Sequence, residues 1–155
     1  MSLEKTLVLL KPSAVQRGLM GEVIGRFEKK GLRVCGMKMI QLDDALLSAH
    51  YAHLSTKPFF QRVKDAMMTA PVVALALEGV GAIEAVRMIV GPTTGRNAPA
   101  GTIRGDLSLS YQENIVHASD SPETAAIELE RFFKPEEILD YRLATFDFTY
   151  ANDET

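Results

Sequence analysis

The sequence has little cysteine and no long apolar run, and each shortage excludes a class of protein. Its single cysteine, Cys35, cannot form a disulfide within the chain, and no Cys/His spacing typical of a zinc site is present. No apolar segment approaches the ~20 residues that a membrane-spanning helix needs. The apolar run before Lys11 is too short for a signal peptide. We therefore expect a cytoplasmic protein with no membrane partner, in which Cys35 is a small core residue.

An excess of positive charge is also missing. The chain has 17 Lys and Arg against 20 Asp and Glu, a formal net charge of -3. Proteins that bind nucleic acid usually carry a basic surface, so no nucleic-acid partner is expected. The two common glycine-rich phosphate-binding motifs, GxxxxGK[ST] and a strand-linked GxGxxG, are absent as well. Any anion site must therefore be local and of another kind.

The pattern of apolar residues predicts one α+β domain over residues 1–155. A length of 155 residues with 46% hydrophobic residues suits a single core, and no repeat, linker or low-complexity run divides it. Short apolar runs predict four strands at 5–11, 32–40, 71–79 and 114–119. Helical spacing and stop signals predict helices at 15–31, 43–54, 57–68, 81–91 and 121–133, the last with Ser121 as N-cap and Pro122 in its first position.

Without its short helices, this order is β-α-β-β-α-β. It predicts a ferredoxin-like sandwich, with a four-stranded antiparallel sheet and helices on one face. A helical turn is expected at 134–141, and the tail 142–155 is irregular, with aromatic residues that can dock on a neighbour.

A long loop, 92–113, precedes the last strand and shows no sustained periodicity. Loops of this length inside a domain are usually functional or disordered. Here arginine, threonine and glycine alternate with apolar anchors such as Ile103 and Leu107, which argues against disorder. We therefore expect this loop to contribute to a site.

Four polar residues stand at the ends of strands or around this loop. Lys11 ends the first strand, Arg87 lies on the helix before the loop, Thr93 opens the loop, and Arg104 stands beside a glycine in GTIRGD. Taken singly, each is an ordinary solvated or turn residue. Together they predict a local anion-binding site.

His117 lies in the segment NIVHASDS, at the end of a strand and beside the long loop. A lone histidine in an apolar setting is more often structural than catalytic. Its small neighbours leave space around the ring, however, and Ser119 and Glu128 can orient one ring nitrogen if the next helix folds back. The other nitrogen is then neutral and nucleophilic near pH 7. Metal ligation is disfavoured, because no second histidine or carboxylate lies nearby at a ligand spacing.

Four motifs, in this order, resemble the nucleoside diphosphate kinase family: KPSAVQRGLMGE, HYAHLSTKPFF, GTIRGD and NIVHASDS. The resemblance runs from the first strand to PEEILDY, nearly the whole chain. It implies transfer of the terminal phosphoryl group of a nucleoside triphosphate such as ATP to a nucleoside diphosphate. The family does this with Mg²⁺, in two half-reactions through a phosphohistidine. The Mg²⁺ is expected on the nucleotide phosphates, with no metal ligand from the protein.

The same resemblance assigns roles to individual residues. His117 matches the phosphorylated residue, and Glu128, aided by Ser119, matches the group that orients its ring. Phe59 matches the aromatic residue on which the base stacks, a contact open to any base. The residues that match those holding phosphates and ribose are Lys11, Tyr51, Arg87, Thr93, Arg104 and Asn114. The family forms homo-oligomers, tetramers or hexamers built from dimers, and the sequence leaves both open.

The chain departs from the family pattern at a few positions. Ser13-Ala14 replaces the usual Asp-Gly, Ala118 replaces Gly, and Tyr111 stands where a small aliphatic residue is common. None touches the matched catalytic set, although Tyr111 and Ala118 bear on base preference and turnover. His50 and His53 are interpreted as a helix residue and a surface residue, with a phosphate contact by His53 as the alternative.

Three other functions stay open at this stage. They are a regulatory nucleotide-binding domain without catalysis, a nucleic-acid-binding module, and a phosphohistidine carrier that docks on a partner kinase. A nucleic-acid-binding module of this fold needs exposed aromatic residues on its sheet. The third strand has none, which argues against this alternative. Phosphorylation by ATP alone distinguishes the kinase from the other two.

Overall fold

In the computed structural model, which describes residues 2–155, four strands form one antiparallel sheet in the order β2-β3-β1-β4. The strands are β1 (Leu3–Leu10), β2 (Arg33–Ile40), β3 (Val72–Val80) and β4 (Val116–Ala118). The α-helices are α1 (Pro12–Gln16), α2 (Met20–Lys30), α3 (Asp44–His50), α4 (Phe60–Met68), α5 (Ala82–Val90), α6 (Ile103–Leu107) and α7 (Pro122–Phe132). The predicted α+β, ferredoxin-like arrangement is confirmed.

Helices cover both faces of the sheet, so the expectation of one covered face is wrong. Along β1, Val8 and Leu10 pack against α2, α5 and α6 on one side. On the other side, Leu7 and Leu9 pack against α3, α4 and α7. The sequence of β3 shows why, since its apolar run is buried almost throughout and needs cover on both sides. The second layer is what brings α7 and α3 to the strand that carries His117.

The helix predicted over residues 15–31 is two helices. Gly18 has φ +67°, a left-handed conformation that ends α1 and that glycine adopts at little cost. The chain turns there and α2 begins at Met20. The stop predicted at Gly31 is present, because Gly31 caps α2 with φ +105°.

The long loop is ordered by two short helical segments, a 3₁₀ turn at Gly95–Asn97 and the helix α6. Thr102 caps α6, since its hydroxyl accepts the N–H of Gly105 at 2.9 Å. A Cβ on Gly105 would lie 1.9 Å from the carbonyl oxygen of Pro99, so this close approach requires glycine. Five residues are too few to show a helical period, which explains why α6 was not predicted.

The C-terminal tail packs on its own chain. Tyr150 accepts the N–H of Val80 at 3.1 Å, and Tyr141 donates to the carbonyl of Val34. Phe148, by contrast, is 93% exposed. Tyr150 of the tail, and Tyr141 directly before the tail, therefore dock on this chain's own sheet. Within residues 2–155, no helix has both the length and the apolar composition to cross a membrane.

Candidate active site

A three-residue hydrogen-bonded chain lies where β4 meets α7. His117 Nε2 is 2.9 Å from Glu128 Oε2, and the Ser119 hydroxyl donates to Glu128 Oε1 at 2.6 Å. The start of α7 sets this geometry, because the Ser121 hydroxyl accepts the N–H of Thr124 and directs the helix back along β4. Both oxygens of the buried Glu128 carboxylate are thus engaged.

The hydrogen-bond partners of Glu128 fix its charge. Burial by itself raises the pKa of this carboxyl, but the hydrogen bonds from His117 and Ser119 outweigh burial and hold the pKa below its ordinary value. The ionised carboxylate can only accept, so Nε2 of His117 carries the hydrogen. Nδ1 of a neutral His117 is left with a free lone pair.

A polar cavity of about 240 Å³ lies beside His117. It is lined by five of the predicted site residues: Arg87, Thr93, Arg104, His117 and Glu128. Asp120 and His53 also line it. Two guanidinium groups facing a histidine with a free nitrogen form a place where an anion can be held against a nucleophile.

Arg104 ties three backbone segments together at this cavity. It donates to the carbonyls of Asn114 at 3.1 Å, Gly91 at 3.0 Å and Val116 at 2.6 Å. A guanidinium has five N–H groups, so two remain for a ligand. Burial, followed by the nearby Arg87, lowers the pKa of Arg104 to about 10. The side chain is therefore both a structural tie and a cation facing the cavity.

The backbone is strained between Asn114 and Val116, two of the three residues whose carbonyls Arg104 holds. Ile115 has φ +74°, which is rare for a β-branched residue. Its own carbonyl accepts the N–H of Lys11 at 2.9 Å. Such a conformation persists only where the surroundings impose it, and it is common at functional sites. Here it turns the chain into the strand of His117.

Lys11 and Asn114 meet next to the cavity. Lys11 Nζ donates to Asn114 Oδ1 at 2.7 Å, while Asn114 Nδ2 donates to the carbonyls of Thr93 and Tyr111, both at 2.9 Å. Both N–H groups of the Asn114 amide are thus used by protein groups, and its oxygen orients the lysine. Burial, then the charge of Arg104, lowers the pKa of Lys11 to about 8, although Glu113 acts in the opposite direction.

Tyr51 and Phe59 are not among the residues that line this cavity. Tyr51 is buried and lines a small cleft together with Lys11; burial, then the charge of Glu128, raises its pKa to about 12. Phe59 directly precedes α4 and is partly exposed, but it is not among the residues that line the 240 Å³ cavity. Tyr111 is 52% exposed, and its hydroxyl accepts from Arg62 of α4 at 3.2 Å.

The helix position predicted for His50 is confirmed, and its surroundings are more specific than the sequence indicated. It does end a helix, but it is buried against the ring of His117, with centroids 4.7 Å apart. Burial, then the proximity of His117, lowers the pKa of His50 to about 3. No local signal reveals this contact, because the two histidines are far apart in sequence. His53 is exposed and lines the cavity, as its alternative interpretation required.

Three potential metal ligands come together in the fold although their spacing in sequence gave no sign of it. Donor atoms of His50, His117 and Glu128 lie within 4.8 Å of one another. Arg131 donates to Nδ1 of His50 at 2.9 Å, and both oxygens of Glu128 already accept hydrogen bonds. A cation here competes with a guanidinium, so the cluster is better described as a hydrogen-bonded network.

Comparison with known proteins identifies the family of this chain. The family model described as nucleoside diphosphate kinase matches residues 4–138. A nucleoside diphosphate kinase from Parabacteroides distasonis is 66% identical over 98% of this chain and 99% of its own length. The halophilic enzyme from Halobacterium salinarum, solved in complex with CDP, has a TM-score of 0.93 at 36% identity, covering 96% of this chain and 99% of its own. A transition-state mimic of the Borrelia burgdorferi enzyme, with vanadate and ADP, has a TM-score of 0.89 at 34% identity, covering 94% and 96%. The chain belongs to the nucleoside diphosphate kinase family.

Proposed function

We propose that this nucleoside diphosphate kinase works through a phosphohistidine on His117, in two half-reactions. One observation carries the proposal: His117 donates from Nε2 to an ionised Glu128 while its ring lines a cavity with two arginines. That arrangement leaves Nδ1 as the nucleophile and supplies positive charge where phosphates must lie.

The chemistry needs little beyond alignment and charge neutralisation. In the first half-reaction, the lone pair of Nδ1 forms a bond to the terminal phosphorus of ATP, and the bond from that phosphorus to the bridging oxygen breaks. ADP leaves with the bonding electrons. In the second, a terminal oxygen of the acceptor diphosphate attacks the same phosphorus, and the pair returns to Nδ1. Glu128 and Ser119 keep the ring in one orientation throughout.

The roles of the other predicted residues follow from their positions. Arg87, Arg104 and Lys11 neutralise phosphate charge, Arg104 through its two remaining N–H groups. Thr93 and Tyr51 contribute hydroxyls to phosphate and ribose, and Asn114 acts chiefly by orienting Lys11. Phe59, which is partly exposed, offers a stacking face to the base.

The site suits a magnesium ion that arrives on the nucleotide. Mg²⁺ prefers oxygen ligands and retains water, and it usually binds through substrate phosphates with one or two carboxylates. Of the carboxylates lining the cavity, Glu128 already accepts a hydrogen bond at each oxygen, so Asp120 is the one proposed to hold the ion or its water. The ion would neutralise charge on the phosphates.

The partners proposed for this chain are nucleoside di- and triphosphates. The Halobacterium relative was solved with CDP and the Borrelia relative with ADP, which supports a site open to different bases. We also propose a single catalytic domain over residues 1–155, acting in a homo-oligomer in the cytoplasm, with neither membrane nor nucleic acid as partner.

Intact mass spectrometry tests the mechanism directly. The purified protein is mixed with ATP and Mg²⁺ without acceptor, beside His117→Ala and the matched variant His53→Ala, which removes another cavity histidine. The wild type and His53→Ala should gain one acid-labile phosphoryl group and lose it to added GDP. His117→Ala should gain none.

Either of two results would reject the proposal. If the wild type binds ATP but stays unmodified, a regulatory nucleotide-binding domain is the better account. If it accepts a phosphoryl group only from a partner kinase, it is a phosphohistidine carrier.

A further inference from the structure

His50 is enclosed beside the proposed nucleophile, yet no step above uses it. Its side chain is 1% exposed, and its ring packs edge to face against His117 with the ring planes at 81°. The rings of Tyr51 and Phe132 pack against it as well, with centroids at 4.7 and 5.2 Å. These three neighbours hold the ring in one orientation.

The hydrogen bond from Arg131 fixes the tautomer of His50. Arg131 NH1 is 2.9 Å from Nδ1, and a guanidinium can only donate, so Nδ1 is the nitrogen with the lone pair. The hydrogen is then on Nε2, which is buried and has no partner within residues 2–155. Burial and then His117 lower the pKa of His50; Arg131 and His53 act in the same direction, and Glu128 opposes them. The ring is therefore neutral near pH 7.

Within residues 2–155, Arg131 makes no ion pair with the carboxylate that orients His117. Glu128 and Arg131 lie three residues apart on α7, a spacing that places side chains together and favours an ion pair. In the described part of the chain no such pair forms, and the hydrogen bond of Arg131 goes to His50 instead. Glu128 Oε2 is 3.6 Å from the same Nδ1, so this nitrogen lies close to both the cation and the carboxylate.

We propose that His50 is a positioning residue whose Nδ1 holds Arg131 away from Glu128, so that the carboxylate stays available to orient His117. The inference rests on the proposed function, in which His117 is the nucleophile. An Arg131–Glu128 ion pair would compete for Oε2 and weaken the preference of His117 for hydrogen on Nε2. Hydrogen would then reside partly on Nδ1, and a protonated nitrogen cannot attack phosphorus.

Three variants separate this role from simple packing. His50→Phe keeps an aromatic ring but removes the acceptor, and we expect phosphorylation by ATP in a single turnover to slow about ten-fold. ADP affinity should stay within about two-fold, because the phosphate-binding groups are unchanged. Arg131→Met should be close to wild type, and combining it with His50→Phe should restore most of the lost rate. If His50→Phe does not fold, His50→Asn supplies an amide oxygen as acceptor and should retain a rate near wild type.

A spectroscopic measurement adds a test that does not need catalysis. The ¹⁵N shifts of the His117 ring in nucleotide-free protein distinguish the two tautomers, and His50→Phe should increase the fraction with hydrogen on Nδ1. The inference fails if His50→Phe retains full rate, if Arg131→Met does not rescue it, or if ADP affinity and thermal stability fall with the rate. A wild type that is never phosphorylated refutes the proposed function instead, while the ¹⁵N comparison still decides the role of His50.

Discussion

The depressed pKa of Lys11 predicts that nucleotide binding takes up a proton at alkaline pH. Lys11 titrates at about 8 in the free protein because it is buried and lies near Arg104. Its charged form is therefore about nine-tenths populated at pH 7 and about one-tenth populated at pH 9. A phosphate beside Nζ favours the charged form and raises the pKa, so binding should restore the missing charge.

The magnitude follows from this linkage. ADP binding should take up about 0.1 proton at pH 7 and close to 0.9 at pH 9, and affinity should fall about ten-fold between the two, or about 1.4 kcal/mol. The direction of the pH dependence follows from this pKa. The affinity for ADP should be level below pH 8 and should decline above it, where Lys11 of the free protein has lost its charge. At pH 9 Arg104, with a pKa of about 10, is still mostly charged and adds little to the change.

Isothermal titration calorimetry in two buffers of different ionisation enthalpy measures the uptake. Lys11→Gln is the control, and its weaker binding should show almost no proton uptake at either pH. The reasoning is refuted if the wild type takes up the same fraction of a proton at both pH values, or if Lys11→Gln retains the uptake.

Three further predictions concern stability. Ser119→Ala removes the donor to the buried Glu128 carboxylate and should lower the free energy of unfolding by about 1–3 kcal/mol in urea denaturation; a change below about 0.5 kcal/mol contradicts it. Gly105→Ala should lower the melting temperature by several degrees because its methyl group meets backbone, whereas Gly25→Ala, with nothing within 4 Å, should not. Tyr150→Phe leaves a backbone N–H of β3 without its acceptor and should cost about 1 kcal/mol; unchanged stability would show that water replaces the hydroxyl.

Features set by local sequence could be predicted before the structure. The apolar run of β3 and the Ser-Pro start of α7 were both recognised, because each signal lies within the element that it specifies. The stop at Gly31 is of the same kind. The division at Gly18 was missed, since the apolar spacing continues across it and only the backbone conformation shows the break.

The sequence predicted the grouping of His117 with Glu128 and Ser119, but not the contacts that His50 and Arg104 make. Motifs named His117 and Arg104, the family resemblance added Glu128, and the fold gathers these three residues around one cavity. The contact between His50 and His117 joins α3 to β4, and no local pattern encodes a distance between elements that far apart. The three hydrogen bonds from Arg104 to backbone carbonyls could not be predicted either, because the sequence shows a cation and not its partners.

The strand that carries His117 has only a short pairing with the rest of the sheet. β4 pairs with β1 over Val116–Ala118, with one further backbone hydrogen bond on either side, whereas β3 pairs along its length with a strand on each edge. Arg104 adds a side-chain hydrogen bond to the Val116 carbonyl. Amide hydrogens of residues 116–118 should therefore exchange with solvent by a local opening far less costly than global unfolding. A ligand that binds Arg104 should slow the exchange of these amides while leaving the exchange rates of β3 unchanged. The exchange rate at one short strand thus reports occupancy of the site, even for a ligand that is never turned over.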